Sequence, residues 1–361
     1  MSLAIGAIGW LKSVGCLFSL FLHRMPMNVK LPLVCAALTL AGAWLYSKRA
    51  VTYDRLDPEL RSPLLRFRSP PYTPLVVKVM RLVLARLPEP ADIAFELYHV
   101  PAADGAPDVP VYVYRPDGVQ QPTAALLYIH GGGFMIGSAR SAHAICAGLA
   151  DDLGIVVANV DYRLAPEVPF PGALDDCYAA LKWMKQQAAS LHIDPERIAV
   201  MGESAGGGLA AALAQLAHDR GEIKPVFQLL AYPMLDDRTA LMRDHEGRGE
   251  FLWTPGANRL GWTSYLGHAP MLDAAPEYAS PARREDLVGL APAWIGAGTL
   301  DLLYPESKAY ARRLNEAGVA CEFYEVDGAY HGFDGMSPGA SISKAFIARR
   351  NEALRRGLRL A

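Results

Sequence analysis

The stretch Arg197-Ile198-Ala199-Val200-Met201-Gly202-Glu203-Ser204-Ala205-Gly206-Gly207-Gly208 governs how this chain is read. Ile198 to Met201 is a short apolar run of β-compatible residues. Leu209-Ala210-Ala211-Ala212-Leu213-Ala214 just downstream is rich in helix formers. Between them stands Gly202-Glu203-Ser204-Ala205-Gly206, a G-x-S-x-G motif. Strand, sharp turn and helix is the context in which that motif makes a nucleophile elbow. Its glycines let strand and helix pass close to a turn residue held in strained geometry. The Ser204 hydroxyl then stands above the sheet, beside the positive end of a helix. A plain glycine-rich turn satisfies the same motif, so its partners elsewhere in the chain must separate the two readings.

Strands and helices alternate on both sides of the elbow. Phe95 to Val100 and Val109 to Tyr114 read as strands. Ala124 to Ile129 and Ile155 to Val160 are continuous apolar runs, as expected of strands buried on both faces. Further strands are expected at 226–231, 293–297 and 320–326, and helices at 142–152, 173–187, 306–317 and 341–358. This rhythm predicts an α/β chain with a mostly parallel central sheet and helices on both faces. Two segments depart from it. Residues 51–90 are rich in Pro and Arg, and Leu75 to Ala85 reads as an amphipathic helix with Lys78 and Arg81 on one face. That helix suits either a cap over a pocket or simple packing. Residues 233–285 scatter Trp253, Trp262 and Tyr265 among prolines and glycines, as a lid or cap would.

The chain has 361 residues, 52% hydrophobic and 20% charged, with net charge −2. A balance so near zero, with no long Lys/Arg run, argues against nucleic acid as partner. The five cysteines, Cys16, Cys35, Cys146, Cys177 and Cys321, are widely spaced and form no C-x-x-C. They read as small buried hydrophobes, and neither as a disulfide framework nor as a zinc site. The amino-terminal 1–50 differ from the rest. No Asp or Glu precedes Asp54, and the apolar runs Leu3 to Leu22 and Leu31 to Tyr46 are set off by Lys12, Arg24, Lys30, Lys48 and Arg49. The second run is short for a membrane span of about 20 residues, though flanking side chains can extend it. Ala41-Gly42-Ala43 resembles a small-residue cleavage site. The leader therefore suits an uncleaved membrane anchor, a secretory signal starting at Met25 or Met27, or an apolar helix packed on the domain. The first two place the protein at the membrane or outside the cell, and the third in the cytoplasm.

An acyl-transfer enzyme needs a nucleophile, a base, a group to orient the base, and donors for the oxyanion. Ser204 is the candidate nucleophile. His130-Gly131-Gly132-Gly133-Phe134 comes directly after a buried strand, where glycines expose backbone N–H groups. The N–H of Ala205, after the nucleophile, is the expected second oxyanion donor. His130 is read as shaping this loop and not as the base. Among nine histidines, only His331 lies in a loop between a late strand and the final helix, in Gly328-Ala329-Tyr330-His331-Gly332-Phe333. Asp301, in Gly298-Thr299-Leu300-Asp301, stands past a strand at its carboxyl end, where α/β folds place function. Asp327 and Asp334 lie too near His331 in sequence to reach it from another strand. The order Ser204, Asp301, His331 is that of the α/β-hydrolase fold.

The chain resembles the bacterial hormone-sensitive-lipase-like esterases. The resemblance rests on His130-Gly131-Gly132-Gly133-Phe134 and Gly202-Glu203-Ser204-Ala205-Gly206. Asp161-Tyr162-Arg163-Leu164-Ala165-Pro166-Glu167, Pro169-Phe170-Pro171, Tyr232-Pro233-Met234-Leu235-Asp236 and Tyr330-His331-Gly332-Phe333 support it. It covers the chain from about Asp57 to the end. It implies a carboxylesterase for small-molecule esters of short to medium acyl chains, with no metal or organic cofactor and an amino-terminal cap over the acyl pocket. By motif position it implies the N–H groups of Gly132, Gly133 and Ala205 as oxyanion donors. Two positions depart from the family's usual pattern: Glu203 stands where Asp is common before the serine, and Leu302 where Pro is common after the acid. An amide hydrolase or a lyase could use the same residues, since fold does not fix chemistry. A non-catalytic ligand-binding relative is the other alternative. Oligomeric state and natural substrate are not encoded in these motifs.

Overall fold

Apolar runs without polar alternation form strands only where both faces are covered, and the computed structural model gathers the runs above into one eight-stranded sheet. The structure describes residues 52–361, except 67–68, 70, 87–92, 103–104, 117, 119–120 and 361. The chain divides into residues 1–48 and 49–361. The three leader readings, with Cys16 and Cys35, lie outside the described residues. Among the described residues no helix is long and apolar enough to cross a membrane.

The strands are β1 (Glu96–Val100), β2 (Val109–Tyr114), β3 (Thr123–Ile129), β4 (Val156–Val160), β5 (Ile193–Glu203), β6 (Gln228–Ala231), β7 (Ala293–Gly298) and β8 (Cys321–Val326). Their order is β1-β2-β4-β3-β5-β6-β7-β8. β2 runs antiparallel to both of its neighbours, and the pairings from β4 through β8 are parallel. The larger helices are α1 (Pro74–Leu84), α2 (His143–Leu153), α3 (Gly172–Gln186), α4 (Ala205–Arg220), α5 (Pro255–Leu266), α6 (Tyr304–Glu316) and α7 (Ser341–Gly357). The period-2 geometry of each strand sorts the core into two layers. Val111, Val113, Ala125, Leu127 and Ile129 pack with α3, α4 and α6 on one face. Tyr112, Tyr114, Ala124, Leu126 and Tyr128 pack with α2 and α7 on the other. Cys146 and Cys177 are buried and unbridged as expected, while Cys321, on the edge strand β8, is only partly buried.

α1 is the expected amphipathic helix. The Thr73 hydroxyl caps it by accepting from the Val76 N–H at 3.2 Å, with Pro74 in the first turn. α5, inside the 233–285 insertion, is a helix that the sequence pattern does not announce. Its start is legible, because Thr254-Pro255 is the same cap, and the Thr254 hydroxyl accepts from the Ala257 N–H at 3.2 Å. Gly256 and Gly261 and an apolar face made of Trp262, Tyr265 and Leu266 hide its periodicity.

Register decides where function can sit. Ile129 lies opposite Gly202, Glu203 opposite Ala231, Ala231 opposite Gly296, and Gly298 opposite Val326. The carboxyl ends of β3, β5, β6, β7 and β8 therefore share one edge. The residues just beyond them supply the glycine loop, Ser204, Tyr232, Asp301 and His331.

Candidate active site

Ser204 sits between β5 and α4 with φ 57° and ψ −122°, a conformation side-chain-bearing residues rarely adopt. Its backbone is pinned on both sides. The Ser204 N–H donates to Ala231 O at 2.9 Å, and Ser204 O accepts from the N–H groups of Gly208 and Met234 at 3.1 and 3.0 Å. The motif glycines are steric requirements. A Cβ on Gly202 would lie 2.0 Å from Gly206 O, and one on Gly206 would lie 2.1 Å from Ile129 O. Only bare backbone lets strand and helix cross this closely.

His331 and Asp301 meet the serine. His331 Nε2 lies 2.9 Å from Ser204 Oγ, and His331 Nδ1 lies 2.8 Å from Asp301 Oδ2. All three residues are buried, with Asp301 only 1% exposed. The second carboxylate oxygen of Asp301 accepts from the Leu303 N–H at 2.9 Å. The Asp301 N–H donates to Gly298 O at 3.0 Å, and the Leu300 N–H to Ala329 O at 2.9 Å. Leu302, in place of the family's common proline, is buried in the core. Hydrogen bonds and packing thus constrain this loop without a proline. The two other aspartates point elsewhere: Asp327 accepts from the Thr299 hydroxyl at 3.0 Å, and Asp334 from the Tyr232 hydroxyl at 3.1 Å.

The glycine loop lies directly over the elbow. A Cβ on Gly131 would be 2.9 Å from Glu203 O and 3.3 Å from Ser204 Cβ. Gly132 and Gly133 have φ of 125° and 61°. Ala205 opens α4, where first-turn N–H groups have no intrahelical acceptor. His130 is packed against this loop. Its Nδ1 is 2.8 Å from Gly131 O, its ring stacks on Tyr162 at 4.2 Å, and its carbonyl accepts from the Tyr162 hydroxyl at 2.8 Å. Burial holds this imidazole below its usual pKa. Arg81 ties α1 to the far end of the loop. It donates to Met135 O at 2.5 Å and grips both oxygens of Glu167 at 2.8 Å.

An aromatic wall completes the site, and sequence reasoning does not find it. Trp253 is buried, its ring 6.1 Å from the His331 ring, and a Cβ on Gly133 would be 2.2 Å from its Cη2. Its indole N–H donates to Asn258 Oδ1 at 3.2 Å, and Tyr72 meets it edge-on at 5.8 Å. The only signal in the chain is an aromatic residue inside an insertion with the composition of a cap.

A mostly parallel sheet with one reversed strand and a strained serine between its fifth strand and the next helix defines the class as an α/β hydrolase. Residues 126–335 match the family described as alpha/beta hydrolase fold. The chain is similar to carboxylesterase NlhH of Mycobacterium tuberculosis, 35% identical over 290 residues, covering 78% of this chain and 90% of that one. It is similar to an ethyl acetate hydrolase of Pseudomonas putida, 39% identical over 243 residues, covering 66% and 74%. Among solved structures it is similar to a bacterial heroin esterase, at 38% identity and TM-score 0.76, covering 85% of this chain and 99% of that one. The chain belongs to the hormone-sensitive-lipase-like esterases of the α/β-hydrolase fold, and it is a carboxylic ester hydrolase.

Proposed function

We propose that this protein is a serine carboxylesterase that hydrolyses short to medium acyl esters through an acyl-enzyme. The observation that carries the reading is the hydrogen-bonded series from Ser204 Oγ to His331 Nε2 and from His331 Nδ1 to Asp301 Oδ2, at 2.9 and 2.8 Å. His331 takes the Ser204 proton as Oγ attacks the ester carbonyl. Asp301 holds the ring in the tautomer that leaves Nε2 free to accept, and it stabilises the imidazolium. The N–H groups of Gly132, Gly133 and Ala205 receive the oxyanion. His331 then returns the proton to the departing alcohol. Water attacks the acyl-enzyme with His331 again as base, and the acid leaves. A small ester, such as the ethyl acetate in the Pseudomonas relative's name, suits a site where Trp253 stands beside both Gly133 and His331.

Turnover of nitrophenyl esters from acetate to dodecanoate tests the reading. Activity should peak at the short end, and Ser204→Ala should remove it. Hydrolysis of the matching anilides in preference to the esters would favour an amide hydrolase, and failure of a fluorophosphonate to label Ser204 would favour a non-catalytic relative. Membrane association through residues 1–50 is a separate proposal, supported by their apolar runs and the absence of acidic residues before Asp54. A tagged protein recovered uncleaved and entirely in the soluble fraction would overturn it.

A further inference from the structure

Beneath Ser204 and His331 lies a buried polar layer that the proposed cycle does not use. Glu203, the residue before the nucleophile, receives a hydrogen bond from Nη1 of Arg350 at 3.3 Å. Arg350 comes from the middle of α7 and is only 6% exposed. Asp334, three residues after His331, is buried beside them and accepts from the Tyr232 hydroxyl at 3.1 Å. The Tyr232 ring lies edge-on to the His331 ring, 5.0 Å between centroids. Tyr232 is itself fixed at the end of β6, with φ 38° and an N–H donated to Gly296 O at 2.7 Å. Tyr128 and Cys146 flank the layer, and burial pushes the phenol and thiol well above their usual pKa values, so both stay uncharged.

The charges here do not balance. Glu203 and Asp334 are two carboxylates near enough for one to act on the other, and the hydrogen bond from Arg350 goes to Glu203. Burial and the nearby Asp334 push the Glu203 carboxyl up to about 7, while Arg350, Tyr128 and His331 pull it down. A pair serving only to attach α7 would be a poor device. Phe346, Ala353, Leu354 and Leu358 already seat the helix and its end in the core, and buried ion pairs seldom improve on apolar packing. What distinguishes this pair is its position. It joins the serine elbow to a distant helix, while Asp334 and Tyr232 link the histidine loop to the end of β6.

We propose that Arg350 is a positioning residue for ester hydrolysis, holding the Ser204 elbow through Glu203 and setting the field under His331 together with Asp334 and Tyr232. This rests on the roles proposed above for Ser204 and His331. Arg350 touches no reacting atom. It limits how far the elbow can drift from the imidazole, and it opposes proton uptake by the groups beneath the site.

Arg350→Met in the full chain tests this, with kcat expressed per site labelled by a fluorophosphonate. The expected result is a fall in kcat of about ten- to a hundredfold, as for a sub-ångström to 1 Å misplacement, with KM within about twofold. Without the guanidinium, protons are taken up more readily, so the acid limb of kcat/KM moves to higher pH. Adding Glu203→Gln to Arg350→Met removes the unpaired carboxylate, recovers part of kcat and moves the limb back. Arg350→Lys keeps the charge and should keep the limb in place. If Arg350→Met does not fold, Glu203→Gln alone should move the acid limb to lower pH. A role confined to attaching α7 would lower Tm and the labelled fraction and leave kcat per labelled site and the pH profile unchanged. That result, or an unmoved limb in Glu203→Gln, overturns the proposal. A parent enzyme that no fluorophosphonate labels overturns the nucleophile assignment instead.

Discussion

Replacing Gly132 by alanine tests the oxyanion loop most sharply. Gly132 has φ 125°, and an added Cβ would lie 1.9 Å from the carbonyl oxygen of Ile136. Real Cβ contacts stay above 3.0 Å, so the loop must move by about 1 Å, a shift large enough to cost ~100-fold in rate. That oxygen is backbone, and the Ile136 N–H donates to Gly132 O at 3.0 Å, so the turn cannot open without disturbing this bond. In the proposed mechanism the Gly132 N–H then leaves the place where the oxyanion would form. Loss of one such donor costs about two to three orders of magnitude in kcat, or about 3–4 kcal/mol. The unfavourable φ adds about 1–3 kcal/mol of destabilisation. The assay is nitrophenyl acetate hydrolysis, with kcat divided by the fraction labelled by a fluorophosphonate and Tm read in parallel. Gly148→Ala is the control. Gly148 lies within α2, and nothing stands within 4 Å of its built Cβ, so activity should hold and stability should rise by up to about 1 kcal/mol. A Gly132→Ala enzyme that labels fully and keeps kcat within about threefold of the parent would refute the donor role.

The same geometry makes three more predictions. Asp301→Asn should keep the fold and lower kcat by about 10⁴, because the amide no longer favours the tautomer that leaves Nε2 free; steady-state kinetics decide it, and a loss below about tenfold would point to another acid. Trp253→Leu should open room beside Gly133 and His331, raising turnover of longer acyl chains relative to acetate by up to about fourfold for each methylene newly buried. An unchanged chain-length profile would place the acyl group away from Trp253. Glu306 is buried with its carboxylate facing the N–H groups of Leu235 and Asp236 at 2.7 and 3.2 Å and the Thr239 hydroxyl, yet burial outweighs these donors and pushes it up to about 8 from 4.5. A carboxyl with a raised folded pKa favours the folded state most below its unfolded value. Its contribution is lost as pH rises from about 4.5 toward 8. Glu306→Gln should therefore flatten the fall of Tm across that window, and an identical slope in both proteins would show that Glu306 is already ionised.

Much of the site is legible in the sequence because its grammar is local. Gly202 and Gly206 flank a serine between an apolar strand and an alanine-rich helix, and chain-local sterics require that pattern. His331 stands out because it alone among the histidines lies in a loop after a late strand. Asp301 is a weaker signal, since Leu302 removes a familiar proline, and the hydrogen bonds that replace it, from Leu303 N–H and to Gly298 O, involve no distinctive side chains. The α5 helix is obscured by glycines and by aromatic residues that pack on the core. The role of Trp253 beside His331 leaves no trace in spacing, because the two rings belong to segments joined only through the fold.

Sequence by itself determined the alternation of strands and helices, the elbow, the glycine loop and the order Ser204, Asp301, His331. These depend on periodicity, on backbone freedom at glycine and on the residues at the end of each strand, all of which are short-range. Tertiary structure alone decided which distant groups meet. Strand order and register set the ends of β3, β5, β6, β7 and β8 on one edge. That edge selects Asp301 over Asp327 and Asp334, lays Trp253 over Gly133, and puts Arg350 under Glu203. No local pattern specifies such meetings, because they are fixed by packing two layers of helices onto one twisted sheet.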